Sequence, residues 1–299
     1  MKAIIKYKKG LVLGQVPMPL PKSGEVLVKV AIAGYCRTDA YVANNKIKTK
    51  TPLIPGHEFS GTVEKIGKAV TKFKKGDRVA VMPILPDRHG YYSGDMIGVD
   101  RDGAFAEYVS VPEVSLYKIS PKLRFKDAAY LEPVAASLAV LKAPIRKKQR
   151  GFVLGDDRIA KLTHRIISSY GFKFSEMISL SRLKRRPDNF YDFAIETFAS
   201  SENLAEIIRV VRPGGVIVLK SRGYAPVEIP LGMIVRKDLR LHGTYYGKFK
   251  DAIHLLESGK LKVNDILGPV LDLEDAIKIL KGDIKKYGGK KLFFKPCAE

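Results

Sequence analysis

The order of strand-like and helix-like segments constrains the fold of this chain most. After about residue 150, short apolar runs and longer segments with helical spacing follow one another: FVLG (152–155), IAKLTHRIISSYG, MISL (177–180), YDFAIE (191–196), ENLAEIIRVV and GGVIVLK (214–220). Apolar strands joined by crossover helices are typical of a doubly wound parallel sheet that binds nucleotides. The second half of the chain is therefore predicted to be α/β.

The first 130 residues have the pattern of an all-β unit. VLVKVAIAG alternates around positions 26–34, and the strand-like runs GDRVAVM (76–82) and GAFAEYVSV (103–111) both begin with glycine. A helical segment, LEPVAASLAVLKA, marks the change of pattern near residue 130, and KDAIHLLESG and LEDAIKILKG predict two more helices near the C-terminal end. The 299 residues are enough for one large domain or two ordinary ones.

Composition and charge restrict the class of protein. The chain has no apolar stretch of membrane-spanning length and no secretory leader pattern, and its two cysteines are too few for a disulfide framework or a four-cysteine zinc site. We expect a cytoplasmic protein with no membrane partner. The net charge is +22, but its basic runs are spread along the chain without a recognition motif, which favours a solvated basic surface over a nucleic-acid partner.

Three separate motifs contain possible metal ligands. They are Cys36 in GYCRTDAY, His57 in PGHEFSG and Glu132 in LEPVAAS. A lone cysteine is usually a small buried hydrophobe, a lone histidine is usually structural, and an acid at a helix start is favoured by the helix dipole. Together, however, the three side chains offer thiolate, imidazole and carboxylate ligands and leave one tetrahedral position open, as a catalytic zinc ion requires.

These motifs, with GDRVAV, DGAFAEYV (102–109) and VVRPGGVIVLKS (210–221), resemble the zinc-containing alcohol dehydrogenases of the medium-chain dehydrogenase/reductase superfamily over nearly the whole chain. The sequence is most similar to the sorbitol and threonine dehydrogenase-like branch. The resemblance implies a GroES-like β domain (residues 1–133 and 263–299) and a reduced Rossmann domain (134–262). It also implies a small-molecule alcohol or carbonyl substrate and a homo-oligomer.

The resemblance further implies roles around a single catalytic zinc ion held by Cys36, His57 and Glu132. Thr38 would bind the substrate oxygen and pass on its proton, and Asp39 would accept the second ring N–H of His57. Glu58 would act as an outer base or an exchangeable ligand. The position where many relatives have a relay histidine is Tyr41 here, which leaves the proton exit open.

The cofactor turn departs from the glycine-rich pattern of dinucleotide-binding proteins. Its sequence is VLGDDRIA: Gly155 keeps the first glycine, whereas Asp157 and Ala160 replace the second and third. A carboxylate facing a diphosphate is unfavourable unless Asp157 turns away or the cations of Arg158 and Arg37 compensate for it. A fold that has lost its dinucleotide is the alternative.

The end of the second strand of this sheet lacks the acid that would bind the ribose of NAD. The sequence there is ISLSRLKRR, in which Ser179, Ser181, Arg182 and Lys184 could accept a 2′-phosphate and favour NADP over NAD. A solvated basic turn is the alternative interpretation.

Two segments are shorter than in the family. PILPDRHGYYSGDMIGVD lacks the four cysteines of a structural zinc site, so we predict no structural zinc and a loop position for His89. Only PDNF separates RLKRR from YDFAIE, which leaves no room for the usual third strand.

The predicted function is the interconversion of an alcohol, such as a polyol or sugar, and its carbonyl with NADP(H) as hydride carrier. Two alternatives remain at this level: a zinc-free quinone or enone reductase, and a degenerate relative that binds metal or an anionic partner without a dinucleotide.

Overall fold

The computed structural model describes residues 1–85, 87–89, 91–92, 94–223 and 226–297. They form two compact units. The first consists of Met1–Glu132, Ile253–Ser258 and the residues from Lys262 onward, and the second of Pro133–Ala252 and Gly259–Leu261. No helix of the described residues combines the length and apolar character needed to cross a lipid bilayer.

The elements of the first 130 residues are mostly strands, as predicted. They are β1 (Lys2–Tyr7), β2 (Gly10–Gln15), β3 (Glu25–Gly34), α1 (Arg37–Ala43), β4 (Glu58–Ile66), β5 (Arg78–Val81), β6 (Tyr108–Pro112), β7 (Leu116–Lys118) and α2 (Phe125–Ala128).

Strands and helices alternate in the following segment. The elements are α3 (Leu131–Leu138), β8 (Gly151–Leu154), α4 (Arg158–Ser169), β9 (Ser175–Ile178), α5 (Leu180–Leu183), β10 (Tyr191–Glu196), α6 (Ser201–Val210), β11 (Val211–Leu219), α7 (Leu231–Arg236), β12 (Arg240–Gly243) and α8 (Phe249–Glu257). The remainder contributes β13 (Leu267–Asp272), α9 (Ala276–Leu280) and β14 (Lys291–Lys295).

The main sheet of the first unit is built around β3, in the order β13-β14-β3-β4-β5-β7, with β6 also paired to β3. The partners β4, β6 and β14 are all antiparallel to β3. Apolar side chains of these strands, such as Val28, Phe59 and Phe294, are buried in one core cluster. A strand from the end of the described chain, β14, is therefore an internal strand of the unit that begins the chain.

The second unit contains a parallel sheet in the order β12-β11-β10-β8-β9. The connection after β9 returns to β10 on the other side of β8, so the strand order reverses between β8 and β10. In doubly wound sheets this reversal creates the crevice in which ligands bind. The described residues contain no strand beyond β9 at that edge, which confirms the predicted loss of the usual third strand. The predicted fold class is confirmed.

The structure differs from the sequence predictions at two points near the functional residues. Helix α1, which was not predicted, begins directly after Cys36, because the Asp39 carboxylate in its first turn accepts the Cys36 backbone N–H at 2.8 Å. Strand β9 lies two residues earlier than the MISL run, because Leu180 already begins α5.

Candidate metal centre and cofactor turn

The pairing of β3 with β4 brings Cys36 and His57 together. Gly34, the last residue of β3, lies opposite Glu58, the first residue of β4, in the antiparallel register. Cys36 follows β3 by two residues and His57 immediately precedes β4. Two distant segments of sequence therefore meet at one end of the sheet.

The ligand atoms of Cys36, His57 and Glu58 all lie within 4.8 Å of one another. His57 and Glu58 are only 1% and 2% exposed, whereas Cys36 is partly exposed. Sulfur, imidazole nitrogen and carboxylate oxygen are the donor types that zinc takes in proteins. The chemistry of the cluster fits a zinc ion with an open coordination position.

A single carboxylate, that of Asp39, orients two members of this cluster. Its Oδ1 accepts a hydrogen bond from Nδ1 of His57 at 2.9 Å, and its Oδ2 accepts the backbone N–H of Cys36. Because an ionised carboxylate can only accept, Asp39 favours a proton on Nδ1 of His57, and Nε2 of the ring lies 3.9 Å from Oε1 of Glu58. Asp39 is thus in contact with His57, as the sequence analysis expected.

The electrostatics of the cluster favour a thiolate at Cys36. Burial opposes ionisation of the sulfur, but the charge and hydrogen bond of His57 and the charge of Lys291 outweigh it and lower the pKa of Cys36 to about 6. Burial also opposes the charged form of His57, but Asp39 and Cys36 raise its pKa well above the ordinary value. A thiolate is the form that binds metal.

Glu132, the third ligand predicted from the sequence, is 5% exposed and lies in the first turn of α3. Its charge is among the causes that raise the pKa of Glu58. Among the described residues, the group of ligand atoms within 4.8 Å contains Glu58 rather than Glu132. The predicted ligand set has Glu132 as its carboxylate, whereas the cluster in the structure has Glu58. Metal binding by Glu132 stays a prediction.

Sequence reasoning missed a lysine in this site. Lys291, the first residue of β14, is 1% exposed and donates from Nζ to a carboxylate oxygen of Glu58 and, at 2.6 Å, to the backbone oxygen of Tyr35. Burial and the negative charges of Cys36 and Glu132 raise the pKa of Glu58, whereas Lys291 opposes that rise. Lys291 is therefore a buried counter-ion of Glu58.

The remaining residues predicted for this site lie around α1. Thr38 is partly exposed in the first turn, Arg37 is exposed beside it, and Tyr41 is partly exposed farther along the helix. His89 lies in an exposed turn, where its Nε2 accepts a hydrogen bond from Arg88. Positions 86, 90 and 93 of the predicted loop lie outside the described residues.

The cofactor turn keeps the backbone geometry of its first glycine. Gly155 has a φ of +123°, and a Cβ there would lie 3.1 Å from both the Ala160 Cβ and the Thr197 Oγ1. Asp157 is exposed and is the N-cap of α4, where its Oδ1 accepts the backbone N–H groups of Ile159 and Ala160, each at 2.9 Å. The helix terminus that would meet a diphosphate thus already binds a carboxylate of its own chain.

The residues predicted to bind a 2′-phosphate follow β9. The hydroxyl oxygens of Ser179 and Ser181 are 3.1 Å apart. Lys184 forms an exposed ion pair with Glu202, and Arg182 lies 4.0 Å from Glu176. These basic side chains therefore lie near carboxylates with which a phosphate would compete.

The Asp39 contact leads to a prediction for metal affinity. In Asp39→Asn the amide can accept only one of the two hydrogen bonds and carries no charge, so His57 and Cys36 are held less firmly. We expect zinc to bind about 10- to 100-fold more weakly, the usual effect of losing such a supporting carboxylate. Competition with a chromophoric chelator measures this directly. An unchanged affinity would contradict the role of Asp39, and Glu64→Gln, which removes an exposed partner of Lys75, is the control.

The chain is similar in sequence to known proteins. The family model of the alcohol dehydrogenase GroES-like domain matches residues 22–121. D-xylulose reductase A from Aspergillus oryzae is 26% identical over 310 residues, which cover 87% of this chain and 87% of that protein.

Solved structures have the same fold. A zinc-binding dehydrogenase from Sinorhizobium meliloti, described as bound to NADP, is 23% identical with a TM-score of 0.90, and 99% of each chain is covered. The 2R,3R-butanediol dehydrogenase from Bacillus subtilis is 23% identical with a TM-score of 0.87, again with 99% of each chain covered.

Proposed function

Because the chain belongs to the zinc alcohol dehydrogenase-like proteins of the medium-chain dehydrogenase/reductase superfamily, we propose that it interconverts an alcohol and its carbonyl by hydride exchange with a nicotinamide cofactor. The observation that carries the proposal is the cluster of Cys36, His57 and Glu58, whose ligand atoms lie within 4.8 Å of one another. Quinone and enone reductases without zinc have no use for such a cluster.

The zinc ion would be held by Cys36, His57 and one carboxylate, supplied by Glu132 or Glu58. A zinc ion there supplies Lewis-acid chemistry, which stabilises negative charge on the oxygen of the substrate. Asp39 fixes the tautomer and orientation of His57, and Lys291 keeps Glu58 neutralised. Thr38, two residues after Cys36, is our candidate for holding the substrate hydroxyl and moving its proton.

The substrate class we favour is a polyol or sugar with a secondary hydroxyl group. The names of two relatives, a D-xylulose reductase and a 2R,3R-butanediol dehydrogenase, both specify molecules with oxygen on adjacent carbon atoms. We therefore expect vicinal diols to be oxidised faster than simple primary alcohols of the same length. The corresponding ketones should be reduced in the reverse direction.

For the cofactor we propose NADP rather than NAD. The proposal rests on the absence of an acid from ISLSRLKRR and on the four cations of that segment. The N-cap role of Asp157 opposes tight binding of either cofactor, because its carboxylate occupies backbone N–H groups that a diphosphate would use. This contact is also the observation that favours the alternative function, a metal-binding relative without dinucleotide.

The proposed function is tested by titrating the zinc-loaded protein with NADPH and NADH while following nicotinamide fluorescence. Binding of NADPH, together with one zinc ion per chain and turnover of a vicinal diol, is the expected result. If neither cofactor binds to the zinc-loaded chain, the dehydrogenase proposal is wrong and the alternative holds. We also propose that the protein is a cytoplasmic homo-oligomer with one catalytic and no structural zinc ion per chain. Light scattering tests the oligomeric state, and metal analysis tests the zinc content.

The Asp157 contact makes cofactor affinity testable at one position. In Asp157→Gly the N–H groups of Ile159 and Ala160 become available and a negative charge is lost, while glycine at an N-cap costs the helix only a few tenths of a kcal/mol. We expect NADPH to bind about tenfold more tightly, equivalent to about 1.4 kcal/mol. Equilibrium fluorescence titration measures the change.

Asp157→Asn separates the two causes, because asparagine can still cap the helix but carries no charge. A gain in Asp157→Gly alone would assign the effect to the occupied N–H groups, whereas a gain in both variants would assign it to charge. If neither variant changes affinity, the start of α4 is not the diphosphate site.

A further inference from the structure

The first unit contains a cavity that the proposed reaction does not use. It has a volume of about 450 Å³ and is lined by residues from β1, the segment after β2, residues 50–54, residues 101–103 and β6. Of the described residues that line it, none is Cys36, His57, Glu58, Glu132 or Lys291. The volume is in the range of sites that enclose a small organic ligand.

One part of the cavity wall is apolar. Ile5, Ile54 and Val16 belong to a small cluster of packed hydrophobic residues, and Leu53 and Pro52 extend the same wall. Leu53 and Ile54 are held in place by backbone hydrogen bonds, from the Leu53 N–H to the oxygen of Lys6 and from the Gly103 N–H to the oxygen of Ile54. This wall is suited to a hydrocarbon chain or ring.

The two carboxylates of the cavity are held by neutral donors. Glu25 accepts hydrogen bonds from the Ser110 hydroxyl at 3.0 Å and from the Lys22 backbone N–H at 3.2 Å. Asp102 accepts the backbone N–H of Ile54 at 3.1 Å. Both acids thus already have hydrogen-bond partners within the protein.

The cations of the cavity are paired only loosely. Arg101 lies 3.9 Å from Glu25, and Lys50 lies 3.7 Å from Asp102, so neither contact is a close charge-assisted hydrogen bond. The Nη1 of Arg101 is buried and has no hydrogen-bond partner among the described residues, although the side chain as a whole is 29% exposed. A guanidinium that has no close carboxylate partner can bind one through two parallel hydrogen bonds.

We propose that this cavity is a second ligand site, which binds a medium-chain monocarboxylic acid. The carboxylate of the ligand pairs with Arg101 and is attracted by Lys50 and Lys22, giving three cations against the two internally held acids. Its hydrocarbon part lies against Ile5, Leu53 and Ile54.

The proposal is tested with octanoate as the probe and the full-length, zinc-loaded protein, by isothermal titration calorimetry. Octanoate should bind with a one-to-one stoichiometry, and octanamide, which has the same chain but no charge, should bind at least about tenfold more weakly. Arg101→Met keeps much of the side-chain volume but removes the guanidinium, and it should weaken octanoate binding by about tenfold or more. Arg101→Lys should retain part of the affinity.

Two further variants show whether octanoate occupies this cavity or the metal centre. Cys36→Ser disrupts the metal centre but leaves the cavity unchanged. If octanoate binds in the cavity, this variant must keep the wild-type affinity for octanoate. Lys50→Met changes a half-exposed side chain at the cavity, and it should weaken binding about two- to fivefold by removing one charge. Arg124→Met, which removes an exposed partner of Asp127 elsewhere in the unit, is the control and should leave binding unchanged.

Three results would overturn the proposal. They are the absence of octanoate binding, wild-type affinity in both Arg101→Met and Lys50→Met, and loss of binding in Cys36→Ser. None of them depends on whether the protein binds NADPH or oxidises an alcohol.

Discussion

Cys36→Ser is expected to leave the protein folded but nearly free of zinc and inactive. A serine hydroxyl is a far weaker zinc ligand than a thiolate, and the pKa of Cys36, lowered to about 6, indicates that the wild-type residue is ready to bind metal as a thiolate. We expect zinc to fall from one ion per chain to a small fraction. The kcat/KM for the best alcohol should fall by at least about 1,000-fold, equivalent to about 4 kcal/mol of transition-state stabilisation.

The chain provides a matched control for this variant. Cys297, the only other cysteine of the sequence, is partly buried and donates from Sγ to the backbone oxygen of Glu107 at 3.7 Å. Cys297→Ser should therefore keep full zinc content and full activity. Metal analysis by mass spectrometry and steady-state kinetics measure both variants, and full zinc occupancy in Cys36→Ser would show that another residue is the ligand.

Lys291→Met should cause the largest loss of stability that we predict. The substitution removes the cation that pairs with Glu58 inside the protein and leaves a buried carboxylate without a counter-ion. Removing one partner of a buried ion pair typically lowers the free energy of unfolding by about 3–5 kcal/mol. The loss should be measured by urea denaturation of the metal-free protein, because a bound zinc ion would itself neutralise part of the negative charge.

The pH dependence of this loss follows from the raised pKa of Glu58. A protonated Glu58 needs no counter-ion, so the penalty in Lys291→Met is fully present at high pH and decreases as the pH falls through the pKa of Glu58 in the folded state. The double variant Glu58→Gln with Lys291→Met should recover much of the stability. Lys290→Met, at the exposed neighbouring position, should have almost no effect. A similar loss in both single lysine variants would exclude the ion pair as the cause.

The change from an all-β to an α/β pattern and the first two candidate metal ligands could be predicted because their signals are local. The alternation of strands and helices after residue 150 required only the periodicity of apolar residues, and the structure confirms it in β8, α4, β10, α6 and β11. Cys36 and His57 lie in short motifs at strand ends, and it is the antiparallel pairing of β3 with β4 that brings them together.

The role of Lys291 could not be predicted in the same way. It is one of 53 lysine and arginine residues, and it comes from a strand that is more than 230 positions from Glu58 in the sequence. Only the position of β14 within the sheet of the first unit determines which cation faces Glu58. For the same reason, the sequence does not determine whether Glu58 or Glu132 would bind the metal. That depends on a distance of a few ångströms, which no pattern of residue types encodes.

The position of Asp157 could be predicted in part. The sequence predicts an unfavourable carboxylate at the cofactor turn, but the N-cap role of Asp157 was not predicted. Aspartate directly before a segment with helical spacing is a strong N-cap signal, and the structure uses it as one. The glycine pattern of dinucleotide-binding proteins defines only which residue Asp157 replaces, and it contains no information about helix capping. The structure shows the capping directly, because Asp157 accepts the backbone N–H groups of Ile159 and Ala160.

The internal position of β14 also sets an order of events during synthesis. The segment that carries Cys36, His57 and Glu58 leaves the ribosome long before Lys291, because residues 133–290 are translated in between. Until then, Glu58 has no counter-ion from β14, and the central strand β3 has an open edge where β14 will pair. The nascent first unit is therefore exposed to strand-mediated association for as long as the second unit is being made, and a chain released early would retain the ligand motifs without the strand that closes their sheet.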